Sequence, residues 1–243
     1  DLGNPDAWQW LVDHTDKLLT DQGIDLYRQD FNMDPLAYWR NADAPDRQGI
    51  TEIRHVTGYL AFWDELLRRR PGLRIDTCAS GGRRNDLETL RRAVPLWRTD
   101  YILEPIGTQC CTYGISSWIP FHGTGVKEAD AYRFSSMMTP YPNCLWDARR
   151  TDLDYGEFRR LTAQWKMVAP DYAGDFYPLT SYSLANDVWL GWQFDRPETG
   201  EGMVQVFRRE LSIYRAADLV LRGLDRNARY RVTNLDEPDA PYE

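Results

Sequence analysis

The first half of the chain alternates between two hydrophobic patterns. Apolar residues recur every three or four positions from Pro5 to Gln22, which predicts an amphipathic helix that Asn4 caps and Gly23 ends. A second helix of this kind is predicted to begin at Thr51 and to end before Pro71. Short apolar runs follow each helix. Helices that alternate with short buried strands are typical of parallel βαβ units.

Three short runs read as buried strands, and two of them close on an aspartate at residues 23–30 and 94–100. The third run, residues 73–76, leads into a glycine turn at residues 78–86. The carboxyl ends of successive parallel strands meet at one mouth, where barrel enzymes place their chemistry. Asp30 and Asp100 are therefore expected to converge, and two converging carboxylates suggest glycoside hydrolysis.

The remaining segments are less regular. We expect a loop from Asn32 to Gly49, a short helix at residues 86–92, and a last helix from Tyr155 to Ala169. Beyond about residue 180 the pattern changes to short strand-like runs separated by Gly, Pro and Asp. These runs are residues 188–194, 202–208, 217–221 and 228–233. The sequence thus predicts a (β/α) portion over residues 1–178 and an all-β domain over 179–243.

Composition and charge limit the classes of binding partner and cofactor. The 243 residues carry a formal net charge of −8, which argues against nucleic acid or an anionic membrane as partner. Ten Trp and fourteen Tyr stand out; an aromatic core is the ordinary explanation for any one of these rings, and a carbohydrate site would need a few of them at its rim as stacking surfaces. The four cysteines and three histidines show neither disulfide-framework nor zinc-ligand spacing, so we expect no metal or other cofactor. The cellular compartment stays open.

Three stretches resemble the motifs of glycoside hydrolase family 36, the melibiase-like α-galactosidases in a clan of retaining α-glycosidases. Residues 28–32, Arg-Gln-Asp-Phe-Asn, resemble the family's Lys-Trp-Asp-Met-Asn nucleophile stretch. Residues 78–86 resemble its glycine turn, Cys-Ser-Gly-Gly-Gly-Gly-Arg-Phe-Asp, with Arg84 and Asp86 in register. Residues 97–100, Trp-Arg-Thr-Asp, resemble its Trp-x-Ser-Asp acid/base motif. The three motifs together are specific, whereas each alone is weak.

The resemblance implies the later part of a (β/α)8 barrel followed by a C-terminal antiparallel β-sandwich. It implies a retaining exo-α-glycosidase that acts on α-galactosides, with Asp30 as nucleophile and Asp100 as acid/base. It also assigns substrate binding to a set of residues around these aspartates. They are Arg28, Asn32, Cys78, Gly81, Arg84, Trp97 and Arg98.

Several of these assignments have ordinary alternatives. Arg28 stands where the family has Lys, and it either contacts the sugar and keeps Asp30 ionised or forms an ordinary ion pair. Arg98 either binds substrate or forms a salt bridge elsewhere. Asn32 is equally a turn residue, and Cys78 equally a small buried residue. Gln29 for Trp and Tyr101 for a second acidic or amide residue also depart from the family, which leaves the sugar open.

The resemblance also places the first three barrel strands and an N-terminal β-sandwich ahead of Asp1. We therefore expect the missing barrel half to come from the same or another polypeptide, because an open barrel exposes strand edges. A homo-oligomer stays open. Two alternatives to an α-galactosidase remain: a non-catalytic carbohydrate-binding or degenerate scaffold, and a retaining α-glycosidase of another sugar such as α-N-acetylgalactosamine.

Overall fold

A computed structural model describes residues 1–101 and 104–237. The chain divides into two compact units, residues 1–100 and residues 101–243. The predicted boundary at 178/179 lies inside the second unit, and it stays a prediction. Positions 238–243 of the predicted all-β domain lie outside the described residues. No helix in the described ranges is long and apolar enough to cross a membrane.

The first unit alternates helices with parallel strands, as the hydrophobic pattern predicts. Its elements are α1 (Pro5–Gln22), β1 (Leu26–Gln29), α2 (Leu36–Ala42), α3 (Ile50–Arg69), β2 (Arg74–Thr77) and α4 (Leu87–Leu90). Asn4 caps α1 by accepting hydrogen bonds from the N–H groups of Asp6 and Ala7, at 2.9 and 3.3 Å. Gly23 ends α1 in the left-handed region, with φ 63°.

The core of this unit lies between the helices and the strands. Residues of α1 and α3 pack with β2 residues, and this cluster contains Val12, Leu19, Tyr59, Phe62, Trp63, Leu66, Leu73, Ile75 and Ala93. Phe62, Trp63 and Leu66 have no exposed surface. The helix spacing of the apolar residues therefore gives one buried face per helix.

Strands β1 and β2 pair in parallel, with Arg28 opposite Asp76 and Gln29 opposite Thr77. The predicted third strand is much shorter than expected, since its pairing with β2 is a single parallel bridge between Asp76 and Val94. Thr77 N–H donates to the Val94 carbonyl, and Val94 N–H donates to the Ile75 carbonyl, at 3.0 and 2.9 Å. Residues 95–100 leave the ladder after Val94, because the Leu96 N–H, the next donor toward β2, bonds to the side chain of Asp76 instead of a backbone carbonyl.

The second unit contains four helices and five strands among its described residues. They are α5 (Pro105–Ile115), β3 (Gly123–Val126), α6 (Ala131–Met137), β4 (Tyr141–Cys144), α7 (Tyr155–Val168), a 3₁₀ helix (Ala169–Ala173), β5 (Asp175–Pro178), β6 (Trp189–Arg196) and β7 (Glu201–Arg208). Strands β3 and β4 are parallel, whereas β5, β6 and β7 form an antiparallel sheet. The protein is thus α/β with an antiparallel sheet.

Three local predictions differ from the structure. The predicted loop at residues 32–49 contains α2, a short helix that begins directly after Pro35. The runs at residues 217–221 and 228–233 are irregular rather than strands. Their side chains are largely exposed, with Val220 at 68% and Val232 at 65%, so no buried face selects an extended pairing there.

Candidate active site

Strand β1 presents two different faces. Gln29 points to the core, where the indole N–H of Trp63 donates to its side-chain oxygen at 2.5 Å. Arg28 and Asp30 lie on the opposite face because successive side chains alternate along a strand. Asp76 stands opposite Arg28 on β2, and Cys78 N–H donates to the Gln29 carbonyl at 3.0 Å, which extends the register past the strand ends. One face therefore collects Arg28, Asp30, Asp76 and Cys78.

The Arg28 guanidinium bridges two carboxylates. Its Nη1 donates a short hydrogen bond to Oδ2 of Asp76, and its Nη2 lies 3.8 Å from Oδ2 of Asp30. The side chain of Asp76 is 6% exposed, against 42% for Arg28. The stronger pair of Arg28 is therefore with Asp76, and Asp30 receives only the longer contact. Arg28 is thus ion-paired, chiefly with Asp76, and its contact with a sugar stays a prediction.

Four groups donate hydrogen bonds to Asp30. Burial alone raises the pKa of this carboxyl, but bonds from the side chains of Asn32 and Cys78 and from the N–H groups of Phe31 and Ser80 outweigh it. The pKa of Asp30 consequently lies below its ordinary value. The Phe31 N–H bond measures 2.8 Å. Asp30 is ionised at neutral pH, which suits a nucleophile.

The glycine turn contains a strained residue. Ser80 has φ 46°, the one positive value at a non-glycine residue in the described part of the chain. Both the N–H and the hydroxyl of Ser80 donate to Oδ1 of Asn32, at 2.9 and 3.0 Å. Such a backbone costs about 1–3 kcal/mol and persists where its surroundings hold it, often at functional sites. Asn32 thus ties the turn to the segment that carries Asp30.

The other side of the same turn lies against the segment that carries Asp100. A Cβ on Gly81 would come within 2.6 Å of the Asp100 nitrogen, and Gly81 has φ 81°. Only glycine fits both restrictions. The side-chain amide of Asn85 donates to the Arg98 carbonyl at 2.9 Å, which adds a second link between turn and segment. The turn therefore contacts the neighbourhoods of both aspartates.

Trp97 contacts the second aspartate directly. Its indole Nε1 donates to Oδ1 of Asp100 at 2.8 Å. The carboxylates of Asp100 and Asp30 belong to exposed residues, as does Asn32, so this side of the first unit is open to solvent. Arg98 differs from them, since only 2% of its surface is exposed. The structure thus places the Arg98 side chain inside the unit.

Arg84 contacts aromatic rings. Its guanidinium carbon lies 4.7 Å from the ring centroid of Phe31 and 4.3 Å from that of Tyr59. Both distances are within the range of a cation–π interaction. Burial raises the pKa of Tyr59 to about 12, so its hydroxyl stays neutral under the positive charge. Arg84 therefore packs against the residue that follows Asp30.

No group of three or more His, Cys, Asp or Glu side chains within residues 1–101 and 104–237 is arranged to hold a metal ion. The described site is built from carboxylates, guanidinium groups, amides and rings. These groups suit the binding of hydroxyl-rich ligands and acid–base chemistry.

Comparison with known families decides the relationship. The model of the family described as Melibiase matches residues 1–133, which is more than half of the chain and includes every residue of the candidate site. The chain belongs to the melibiase family. The sequence motifs predicted this relationship to glycoside hydrolase family 36, and it is confirmed.

Solved structures of melibiase-family α-galactosidases share the fold. α-Galactosidase AgaA of Geobacillus stearothermophilus is 24% identical over 255 residues, which cover 97% of this chain and 34% of AgaA. Its crystal structure superposes with a TM-score of 0.78 over 93% of this chain and 33% of that chain. The α-galactosidase of Lactobacillus brevis gives 0.81 at 19% identity, over 95% and 33%. The chain thus spans about a third of the length of these relatives.

AgaA has also been crystallised as a variant in complex with stachyose. That structure is 23% identical to this chain and superposes with a TM-score of 0.78, over 93% of this chain and 33% of that one. The melibiase family is a family of glycoside hydrolases, and its relationship to this chain rests on sequence as well as fold.

Asp76 and Asn85 contribute to the site and are not among the predicted site residues. Asp76 was visible as a charged residue inside an apolar strand run, two positions before Cys78, just as Arg28 stands two positions before Asp30. Asn85 replaces the phenylalanine of the melibiase-family turn, and that departure was the signal for a new polar contact. The signal at Asp76 becomes meaningful only when the register of β1 and β2 is known.

Proposed function

We propose that this chain carries the catalytic carboxylates of a retaining exo-α-glycosidase that releases terminal α-linked galactose. The observation that supports this most is the glycine turn shared by the two aspartates. Ser80 bonds to Asn32 beside Asp30, and the adjacent Gly81 lies against the backbone of Asp100. Membership of the melibiase family supplies the reaction class.

In the proposed reaction Asp30 attacks the anomeric carbon while Asp100 donates a proton to the departing glycosidic oxygen. The bond from the anomeric carbon to that oxygen breaks, and an ester bond to Asp30 forms. Asp100, now ionised, takes a proton from water, and this water displaces Asp30 with net retention. The lowered pKa of Asp30 supports the nucleophile role, because the attacking carboxylate must be ionised.

The substrate-binding roles remain proposals. Arg28, Asn32, Cys78 and Gly81 surround Asp30 and the turn, and Trp97 contacts Asp100. Their donors are suited to sugar hydroxyl groups. Arg84 and Arg98 are proposed to support the substrate-binding residues without contacting the sugar directly, since Arg84 packs on rings and Arg98 is buried. The stachyose complex of AgaA supports an oligosaccharide as substrate.

We further propose that the chain forms the later part of a (β/α)8 barrel and the start of a C-terminal β-sandwich, and that upstream barrel strands complete the pocket. The parallel order of β1, β2 and Val94 supports the barrel, and the antiparallel sheet of β5, β6 and β7 supports the second domain. The coverage of only a third of each relative supports a protein with further parts.

The test is a panel of aryl α-glycosides offered to the full-length protein. Release of the aryl group from the α-galactoside, with Asp30→Asn and Asp100→Asn both reducing it by orders of magnitude, is the expected result. Asp25→Asn, an exposed aspartate just before β1, is the matched control and should leave the rate unchanged. Preference for α-N-acetylgalactosaminide would change the sugar, and binding of α-glycosides without turnover would indicate a non-catalytic scaffold.

A further inference from the structure

Asp76 is a buried carboxylate at the centre of the parallel pairing. Its residue surface is 4% exposed. Burying a charged carboxylate is costly unless ion pairs and hydrogen bonds compensate for the lost water. Both of its oxygens are in fact engaged: Oδ2 accepts from Nη1 of Arg28, and Oδ1 accepts from the Leu96 N–H at 3.0 Å.

These two bonds connect Asp76 to two different segments of the chain. Through Arg28, Asp76 reaches the segment of Asp30, because Nη2 of the same guanidinium lies 3.8 Å from Asp30. Through Leu96, it reaches the segment that ends at Asp100, where the regular ladder has already stopped after Val94. A single side chain therefore connects both segments in place of a continuous third strand.

We propose that Asp76 is a positioning residue that fixes the Arg28 guanidinium beside Asp30 and fixes the segment of Asp100 relative to β2. This inference rests on the proposed glycosidase function. The planar fork of arginine makes the arrangement specific, since fixing Nη1 on Asp76 also fixes the direction of Nη2. A lysine at position 28, as the family usually has, is one point charge and cannot orient a second donor in this way.

Arg28 remains accessible from the open side of the site. Arg28 keeps 42% of its side chain exposed although it is tied to Asp76. Its outer N–H groups thus face the open side at a fixed angle next to Asp30. Arg28 is consequently a pre-oriented donor for hydroxyl oxygens near the anomeric carbon, and Asp76 determines its orientation without touching the sugar.

The experiment measures kcat and KM for an aryl α-galactoside with D76N, R28K and the double variant in the full-length protein. D76N keeps an oxygen that accepts from Leu96 but removes the charge that holds Arg28. We expect kcat to fall about tenfold or more with KM changed by less than about threefold, because misplacement weakens the transition state more than the ground state. We expect the double variant to be no worse than the worse single variant.

The matched control is D64N. Asp64 accepts two hydrogen bonds from Arg92, at 2.7 and 2.9 Å, so it makes an equivalent aspartate–arginine pair within the same unit. D64N should leave kcat and KM unchanged. If D76N does not fold, D76E takes its place, because it keeps the charge but moves it by one methylene, and the same fall in kcat is expected. Unchanged kcat in the folded variant, or losses that multiply in the double variant, would overturn the proposal.

Failure of the proposed glycosidase function can be distinguished from failure of the positioning role of Asp76. If the wild type turns over no glycoside, crystal structures of the wild type and D76N decide the positioning role. A shift of Nη2 of Arg28 from Asp30 by about 1 Å or more supports it, since that size of displacement already impairs catalysis. An unmoved guanidinium overturns it.

Discussion

The indole N–H of Trp97 donates a 2.8 Å hydrogen bond to one oxygen of Asp100, three residues later in the chain. This bond restricts the rotation of the carboxyl group that is proposed to protonate the leaving oxygen. A hydrogen bond to one oxygen of a carboxyl group orients that group.

Trp97→Phe should therefore impair the reaction through Asp100. We expect kcat/KM to fall about tenfold for an alkyl α-galactoside and less for a nitrophenyl one, because an activated phenol needs little protonation to depart. Steady-state kinetics on the two substrates measures the difference. An equal loss on both substrates would show that Trp97 serves binding instead.

Gly81→Ala should destabilise the turn. The new methyl group would meet the Asp100 nitrogen at 2.6 Å in a backbone conformation that alanine rarely adopts. We expect the free energy of unfolding to drop by about 1–3 kcal/mol from the strained backbone alone. Gly72→Ala is the control, since nothing lies within 4 Å of a Cβ at that position. Urea denaturation of both variants measures the effect, and equal stability would contradict the close packing of the turn.

The roles of the two aspartates can be separated with azide. Asp30→Ala should abolish activity, and azide should restore it with an inverted galactosyl azide, because azide enters on the face that the carboxylate left. Asp100→Ala should keep turnover of substrates with good leaving groups and give a retained azide product. NMR of the products identifies their configuration. Inversion with the Asp100 variant and retention with the Asp30 variant would reverse the assignment.

The hydrogen bonds to Asp30 predict a pH effect. The lowered pKa keeps Asp30 ionised in acid, and Asn32 contributes to that lowering. Asn32→Ala should raise the pKa and move the acid limb of kcat/KM to higher pH, since that limb reports the free enzyme. Ser80→Ala keeps the backbone N–H that bonds Asp30 and should shift the limb less. An acid limb that stays in place would remove Asn32 from this role.

The same bonds link pH to stability. Because the folded-state pKa of Asp30 is lowered, they stabilise the fold above the ordinary aspartate pKa of about 3.9. That contribution is lost as the pH falls through the lowered pKa.

The 243 residues by themselves should be inactive. Strand β1 pairs only with β2 among the described residues, so its other edge offers free backbone groups, and such edges promote association. Sugar contacts from upstream strands would also be missing. Sedimentation and assays beside a longer version with the upstream half measure both effects. Comparable rates from the two would mean that the pocket lies wholly within residues 1–243.

The sequence predicted features whose cause is local. The ends of α1 follow from the cap chemistry of Asn4, Pro5 and Gly23, and the apolar spacing of α3 requires only its own residues. Asp30 and Asp100 are predicted site residues because each closes an apolar run. The role of Asp76 depends instead on the register that brings β1 opposite β2, which no local pattern contains.

Other differences between the predicted and the observed secondary structure have similar causes. The segment after Val94 reads as a strand, but Asp76 engages Leu96 N–H through its side chain, where a strand would continue with backbone bonds. The runs around Val220 and Val232 carry the right residue types for strands and lack a partner surface among the described residues. The sequence predicts a loop where α2 lies because Pro35 and Pro45 flank it, although proline is well tolerated where a helix begins.

The indole of Trp63 holds Gln29 on the core face of β1, so the alternation of side chains along this strand is a functional constraint. Insertion or deletion of one residue between Gly23 and Asp30 would exchange the two faces of the strand. The carboxylate of Asp30 would then point at Trp63 in the packed interior, and an amide would take its place toward the open side. Length variation in this segment is therefore far less tolerable than substitution, and relatives that keep the chemistry should differ here in residue type but not in residue count.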